Sequence, residues 1–187
     1  GLKMRMPGLG GRTIGKLGAT AVLMGGPDIL TSLASGAIDA AEWICPIADL
    51  GLGMHQAAKF YYGPGWHEPS TLLDLSIDLK EWEGLDADTQ ALMMEMAKAF
   101  NVDVFSRFQA LNGPALGKLL NEHGVQLKTF PDELLIALGN AAGEVMEERG
   151  SIDSQTKAIC NHILSFRKNI MDWSTKGESE FARIRNL

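Results

Sequence analysis

One arginine, two glutamates, two tryptophans and a histidine stand where they could do chemistry together. Arg5 closes a strand-like run, Glu42 and Trp43 close another, and Trp66, His67 and Glu68 sit in an aromatic stretch over 60–69 punctuated by glycine and proline. An arginine fork holds a carboxylate through two parallel, charge-assisted hydrogen bonds, and indoles exclude water around a small organic body. Two glutamates beside that anion would repel it unless a cation lies between, so an organic acid bound with a metal ion accounts for the mixture. Oxygen ligands suit a hard cation better than zinc, and His55 and His67 lack the helical spacing of zinc enzymes. Plainer alternatives stand beside this reading: Trp43 as a core indole next to a solvated Glu42, and Arg5 as a solvated arginine on an edge strand.

Other chemistries fit the residues less well. Gly8, Gly10 and Gly11 follow a strand and open a helix, with Asp28 further along, in the manner of a dinucleotide fingerprint. Thr13 stands at the third glycine, however, and Asp28 follows Pro27 at a helix start instead of ending a strand. Glu42 and Glu68 could form a hydrolytic carboxylate pair with His67 as base, but no serine or cysteine sits in a nucleophile elbow. Cys45 with His55 is weak support for a thiol enzyme, and Cys45 and Cys160 set neither a metal motif nor a disulfide framework. A dinucleotide-dependent oxidoreductase or a carboxylate-pair hydrolase is thus the competing class. The net charge of -6 without any Lys/Arg block argues against nucleic acid and anionic membrane as partners. No apolar run reaches the roughly 20 residues of a membrane span, and the start lacks the layout of a signal peptide. Because residue 1 is Gly1 and not methionine, a preceding segment is expected.

The elements that must position these groups follow from periodicity. Residues 2–6 alternate as a strand, with Leu2, Met4 and Met6 on one face and Arg5 pointing away from it. Residues 7–11 read as a flexible loop able to approach a ligand, 12–17 as a short helix, 19–24 as a strand and 28–35 as a helix. A buried strand over 38–44 delivers Glu42 and Trp43 to its carboxyl end, where ligands of open α/β sheets sit. A helix to about 59, the 60–69 loop, a strand over 71–77 and a brief helix over 79–83 come next. A long helix from 87 should kink or break at Gly113 and Pro114. A strand over 126–130, a helix opened by Pro131, and another capped by Ser151 lead to an amphipathic tail after Gly177. The rhythm predicts an α/β chain with a parallel-rich sheet and helices on both faces.

The runs Leu2-Lys3-Met4-Arg5-Met6-Pro7-Gly8, Gly36-Ala37-Ile38-Asp39-Ala40-Ala41-Glu42-Trp43 and Tyr61-Tyr62-Gly63-Pro64-Gly65-Trp66-His67-Glu68-Pro69, in this order, resemble the solute-binding proteins of tripartite ATP-independent periplasmic (TRAP) transporters. Tryptophan at 43, where many dicarboxylate and sialate binders have asparagine, points to the branch that binds 2-oxo acids and related monocarboxylates. The resemblance implies a non-catalytic protein and one half of a two-lobed clamshell with long C-terminal helices. Residues 1–69 would carry the ligand lobe's strands and loops, 70–100 would pack on the first lobe, and 101–187 would be the long helices and tail. It implies that Arg5 clamps the substrate carboxylate, that Trp43, Trp66 and His67 line or back the pocket, and that Glu42, the Trp43 carbonyl and Glu68 hold a sodium or calcium ion. The remaining implications are a glutamine ligand and other contacts from a first lobe or companion chain, a membrane permease as partner, a homodimer through the tail, and a periplasmic location.

Overall fold

The strand-helix rhythm is built in the computed structural model, which describes residues 1–68 and 74–185. β1 (Lys3–Arg5) is the middle of a parallel three-stranded sheet ordered β2-β1-β3, flanked by β2 (Thr20–Val22) and β3 (Ala40–Ala41). Parallel neighbours need crossovers, and α1 (Gly8–Lys16) and α2 (Gly26–Ala34) supply them. The strand expected over 38–44 keeps only two ladder residues because β1 ends at Arg5. Glu42 N still bonds the Arg5 carbonyl at 3.1 Å, and the Glu42 carbonyl is then taken by the Arg5 side chain.

Residues 8–11 are the first turn of α1 and not a flexible loop. A Cβ at Gly11 would lie 2.4 Å from the Met6 carbonyl oxygen and 3.1 Å from the Ala21 Cβ, so the missing side chain lets the helix seat on the sheet. This use of the glycine, with Asp28 in the first turn of α2, removes the dinucleotide reading. Met6, Ile14 and Leu138 form a core cluster covered by Met4, Ala19 and Trp66. Leu138 comes from α6 (Asp132–Gly150), which Lys16 on α1 also reaches through Glu148 and Glu144, at 2.7 and 3.0 Å. Leu2 is exposed, so only Met4 and Met6 of the expected apolar face enter the interior.

A second, two-stranded parallel sheet pairs β4 (Phe60–Gly63) with β5 (Gln126–Thr129), Tyr61 lying opposite Leu127. The first four residues of the expected 60–69 loop are therefore strand, since aromatic side chains suit a half-buried pleat once a partner is found. Between the sheets, α3 (Pro46–Gly51) stops well short of residue 59. Gly53 takes a left-handed φ of 72°, and a 3₁₀ turn, Met54–Gln56, follows.

α4 (Leu79–Glu83) forms where expected, capped by Asp78. Of the strand expected over 71–77, residues 71–73 lie outside the described residues, and 74–77 pair with nothing in a strand. α5 (Ala87–Asn121) passes Pro114 unbroken. Proline there removes one backbone bond, but beyond it Ala115 and Leu119 are buried, and Asn112 Oδ1 accepts from Ile47 N of α3 at 3.1 Å. Burial beyond the proline and the Asn112 bond before it keep the helix whole. Ser151 closes α6, whereas Asp153 caps α7 (Ser154–Ser174), accepting from Thr156 N at 2.7 Å. Helical structure continues past Gly177 through a π-helical turn (Thr175–Ser179) into α8 (Glu180–Arg185). A mid-helix glycine costs only about 1 kcal/mol. Leu92, Met96, Phe100 and Phe105 on α5, and Ile163, Phe166 and Trp173 on α7, are exposed. Among the described residues no helix is long and apolar enough to cross a membrane.

Candidate functional site

β1 and β3 end side by side, with Arg5 in register with Ala41, so Glu42 emerges next to the Arg5 side chain. Arg5 is buried, not solvated, because the face opposite the core cluster is covered in turn by the loops after β2 and β3. Its Nε donates to the Met24 carbonyl at 3.3 Å, and Nη1 donates to the Glu42 carbonyl at 3.0 Å and to Glu42 Oε1. Three of its five donor hydrogens are thus engaged, and Nη2 has no hydrogen-bond partner among the described residues. The guanidinium carbon lies 5.1 Å from the Trp43 ring centroid, within cation-π range.

Glu42 is a two-sided acceptor. Its Oε1 holds Arg5 and its Oε2 lies 3.3 Å from His67 Nε2, with the Glu42 side chain only 10% exposed. His67 Nδ1 is a buried nitrogen without a hydrogen-bond partner among the described residues. Glu42, His67 and Glu68 each offer one ligand atom, all within 4.8 Å of one another. A calcium ion takes oxygen ligands at about 2.3–2.6 Å, so atoms on its opposite sides can lie about 5 Å apart. Two carboxylates at this separation fit a hard cation, and His67 offers a third donor atom among them. The sequence reading had placed His67 in the pocket wall. Glu68 is its neighbour in the chain, and the fold adds Glu42, 25 residues away in sequence.

The indole of Trp43 is seated on Gly26, where a Cβ would fall 2.7 Å from the ring. Trp66 packs on the Met6–Ile14–Leu138 cluster, its centroid 5.0 Å from the His67 ring, so it backs the histidine. Glu42, Trp43, Trp66, His67 and Glu68 line one groove of about 1140 Å³; Arg5 lies behind Glu42 and is not on the groove wall.

Sequence reasoning missed Asp49 and Tyr61. Asp49, 7% exposed, accepts from Tyr61 Oη at 2.5 Å and from Ile44 N at 3.4 Å. Burial pushes the Asp49 carboxyl above its usual range, opposed by those two hydrogen bonds. Burial, then the bond to Asp49, also raises the Tyr61 phenol. An aspartate in the first turn of a proline-opened helix was visible, but its partner emerges only with β4. His55 belongs elsewhere: it stacks on His123 at 3.9 Å, away from any pairing with Cys45, and burial followed by the His123 charge lowers its pKa. Cys45 and Cys160 are both free thiols.

Comparisons with known proteins bear on this geometry. The DctP family, bacterial extracellular solute-binding protein family 7, matches residues 1–151. A monocarboxylate 2-oxoacid-binding periplasmic protein of Nostoc sp. is 37% identical over 181 residues, covering 97% of this chain and 50% of the relative. A TRAP periplasmic solute-binding protein of Pseudoalteromonas atlantica, solved with bound sodium and pyruvate, superposes with a TM-score of 0.91 at 32% identity, covering 98% of this chain and 56% of that one. A TRAP solute-binding protein of Bordetella bronchiseptica, a mixed-occupancy dimer with calcium and picolinate bound, gives 0.90 at 30% identity, covering 99% and 55%. The chain thus spans about half the length of the curated relative.

Proposed function

The chain belongs to the DctP family of bacterial extracellular solute-binding proteins, and from that membership we propose that it forms one wall of a TRAP-transporter receptor for a small monocarboxylate of the 2-oxo acid class, taken up with sodium or calcium. The family consists of transport binding proteins and not enzymes. One observation carries the reading: a buried arginine faces a carboxylate that is also within reach of a second glutamate and the His67 imidazole.

The assigned roles follow from the contacts. Arg5 receives the ligand carboxylate, since it is already fixed by Met24 and by the Glu42 carbonyl and offers Nη2. A two-point grip also needs the Nη1 edge, so the Glu42 side chain must cede that nitrogen to the ligand. Glu42 and Glu68 then hold the cation with the Trp43 carbonyl, and His67 offers a further donor atom beside them. A bound cation supplies the positive charge that lets two glutamates and a ligand carboxylate share one pocket. The Trp43 ring closes the apolar side, and Trp66 keeps His67 in place.

The likeness to longer relatives supports the remaining proposals. The exposed apolar residues of α5 meet a first lobe that supplies the opposite wall, the receptor works in the periplasm, and it delivers its ligand to a membrane permease. The apolar residues of α7 and α8 join two copies. A thermal-shift screen of the chelator-treated full chain tests the ligand class, using pyruvate, longer 2-oxo acids, lactate and sugar acids with and without sodium or calcium. Expected is stabilisation by a monocarboxylate only with a cation, with no chemical change in the ligand. Turnover of any of these acids, or no stabilisation by any pairing, contradicts the proposal.

A further inference from the structure

The site's two ligand-bearing segments come from distant parts of the chain. Glu42 and Trp43 lie between β3 and α3, and His67 and Glu68 follow β4. Among the described residues β4 pairs only with β5, in a sheet separate from the one that ends at Glu42. No backbone ladder therefore sets the distance from Glu42 to Glu68. Side chains must do it: Glu42 itself reaches His67 at 3.3 Å, and a second, buried contact also spans the gap. Asp49, in the first turn of α3, binds Ile44 N at 3.4 Å with one carboxylate oxygen and Tyr61 Oη of β4 at 2.5 Å with the other. Ile44 directly follows Trp43, and Tyr61 lies seven positions before Glu68 on the strand that leads to it.

Resting on the proposed cation-and-carboxylate reading, we propose that Asp49 and Tyr61 form a positioning strut, which holds the Glu42–Trp43 segment at the spacing from His67 and Glu68 that a cation requires. Neither residue belongs to the assigned ligand set. Their placement is nonetheless more constrained than that of Glu68, which is exposed. A carboxylate this buried keeps both partners or leaves them unsatisfied, so the contact is either whole or absent. The ligand atoms lie within 4.8 Å of one another, close to the largest separation one ion can span. A shift of about 1 Å at either segment removes a ligand from the shell.

The test uses terbium, a hard cation whose luminescence is excited through a nearby indole such as Trp43, titrated into the full chain as wild type, Tyr61→Phe, Asp49→Ala, the double variant and Asp49→Asn. The strut predicts that Tyr61→Phe and Asp49→Ala each weaken terbium binding about tenfold or more, and that the double variant is no worse than the worse single one, because both break the same contact. Asp49→Asn keeps an acceptor for Ile44 N and a polar group toward Tyr61, so it restores most of the affinity. Melting temperatures recorded on the same samples should not follow the terbium order. Additive losses, or affinity losses that track melting temperature with Asn as poor as Ala, overturn the strut. Should wild type itself show no indole-excited terbium signal, and calcium not alter pyruvate binding, the reading of the site fails before the strut is reached.

Discussion

Glu42→Gln separates the two duties assigned to one carboxylate. Glu42 bridges Arg5 and His67, with Arg5 and Glu42 side chains each 10% exposed. Glutamine keeps the shape and one acceptor oxygen but loses the charge. A charge-assisted hydrogen bond contributes about 1.5–3 kcal/mol and a neutral one about 0.5–1.5 kcal/mol; Arg5 stays charged, so the bond to His67 is the one that becomes neutral, and its weakening should lower stability by about 1–1.5 kcal/mol. The effect on ligand binding is larger and more specific. The cation loses a charged ligand worth about 1.5–3 kcal/mol, which is a factor of about 10–150. At the same time Arg5 no longer has a competing carboxylate on Nη1, so the cation-independent part of carboxylate binding should strengthen. The assay is calorimetric titration of pyruvate into the full chain, in chelator and in saturating calcium. The ratio of the two dissociation constants measures the coupling between the sites. For Glu42→Gln that ratio should shrink by about 10-fold or more, moved from both ends. An unchanged ratio, even with weaker binding overall, refutes the claim that Glu42 links Arg5 to the cation.

Three further predictions probe parts around this centre. Gly26→Ala places a methyl 2.7 Å from the Trp43 ring, an overpacking of about 1–3 kcal/mol; indole emission should shift and pyruvate affinity fall several-fold, and unchanged emission and affinity would mean that the ring does not depend on that seat. His55 has a folded pKa below its ordinary value of 6.5 because of burial and then the His123 charge. Its contribution is therefore complete above pH 6.5 and is lost as pH falls through the lower folded value, so chemical denaturation from pH 8 to 5 should be less pH-dependent in His55→Gln than in wild type, with parallel curves as the contrary result. Deleting the residues after Lys176 removes the apolar Phe181 and Ile184, both exposed in the single chain; light scattering should show a smaller particle, and an unaltered mass speaks against pairing through the tail.

The three parallel strands and their crossovers were legible because each element carries its own signal: the short apolar run of β2, and Pro27 opening α2. Arg5, Glu42 and Trp43 could be brought together from sequence because strand ends in a parallel sheet share one edge. What failed depended on distant partners. β4 looked like loop because its mate, β5, lies more than sixty residues away. Pro114 looked like a break because local chemistry forbids it, while Ala115, Leu119 and Asn112 fasten the helix on both sides. Gly8 to Gly11 looked like a ligand loop, although the absent Cβ at Gly11 serves close approach of α1 to the sheet. Asp49 lies outside the motif runs and Tyr61 opens one without a role of its own, and only the fold that brings α3 to β4 makes them partners.

The most direct test is a crystal structure of the full chain with pyruvate and calcium, the ion located by its anomalous scattering. The account predicts a calcium peak within about 2.6 Å of oxygens from Glu42 and Glu68, with the pyruvate carboxylate on Arg5 where the Glu42 side chain now lies. A peak remote from both glutamates, or pyruvate bound while Arg5 stays paired with Glu42, contradicts it.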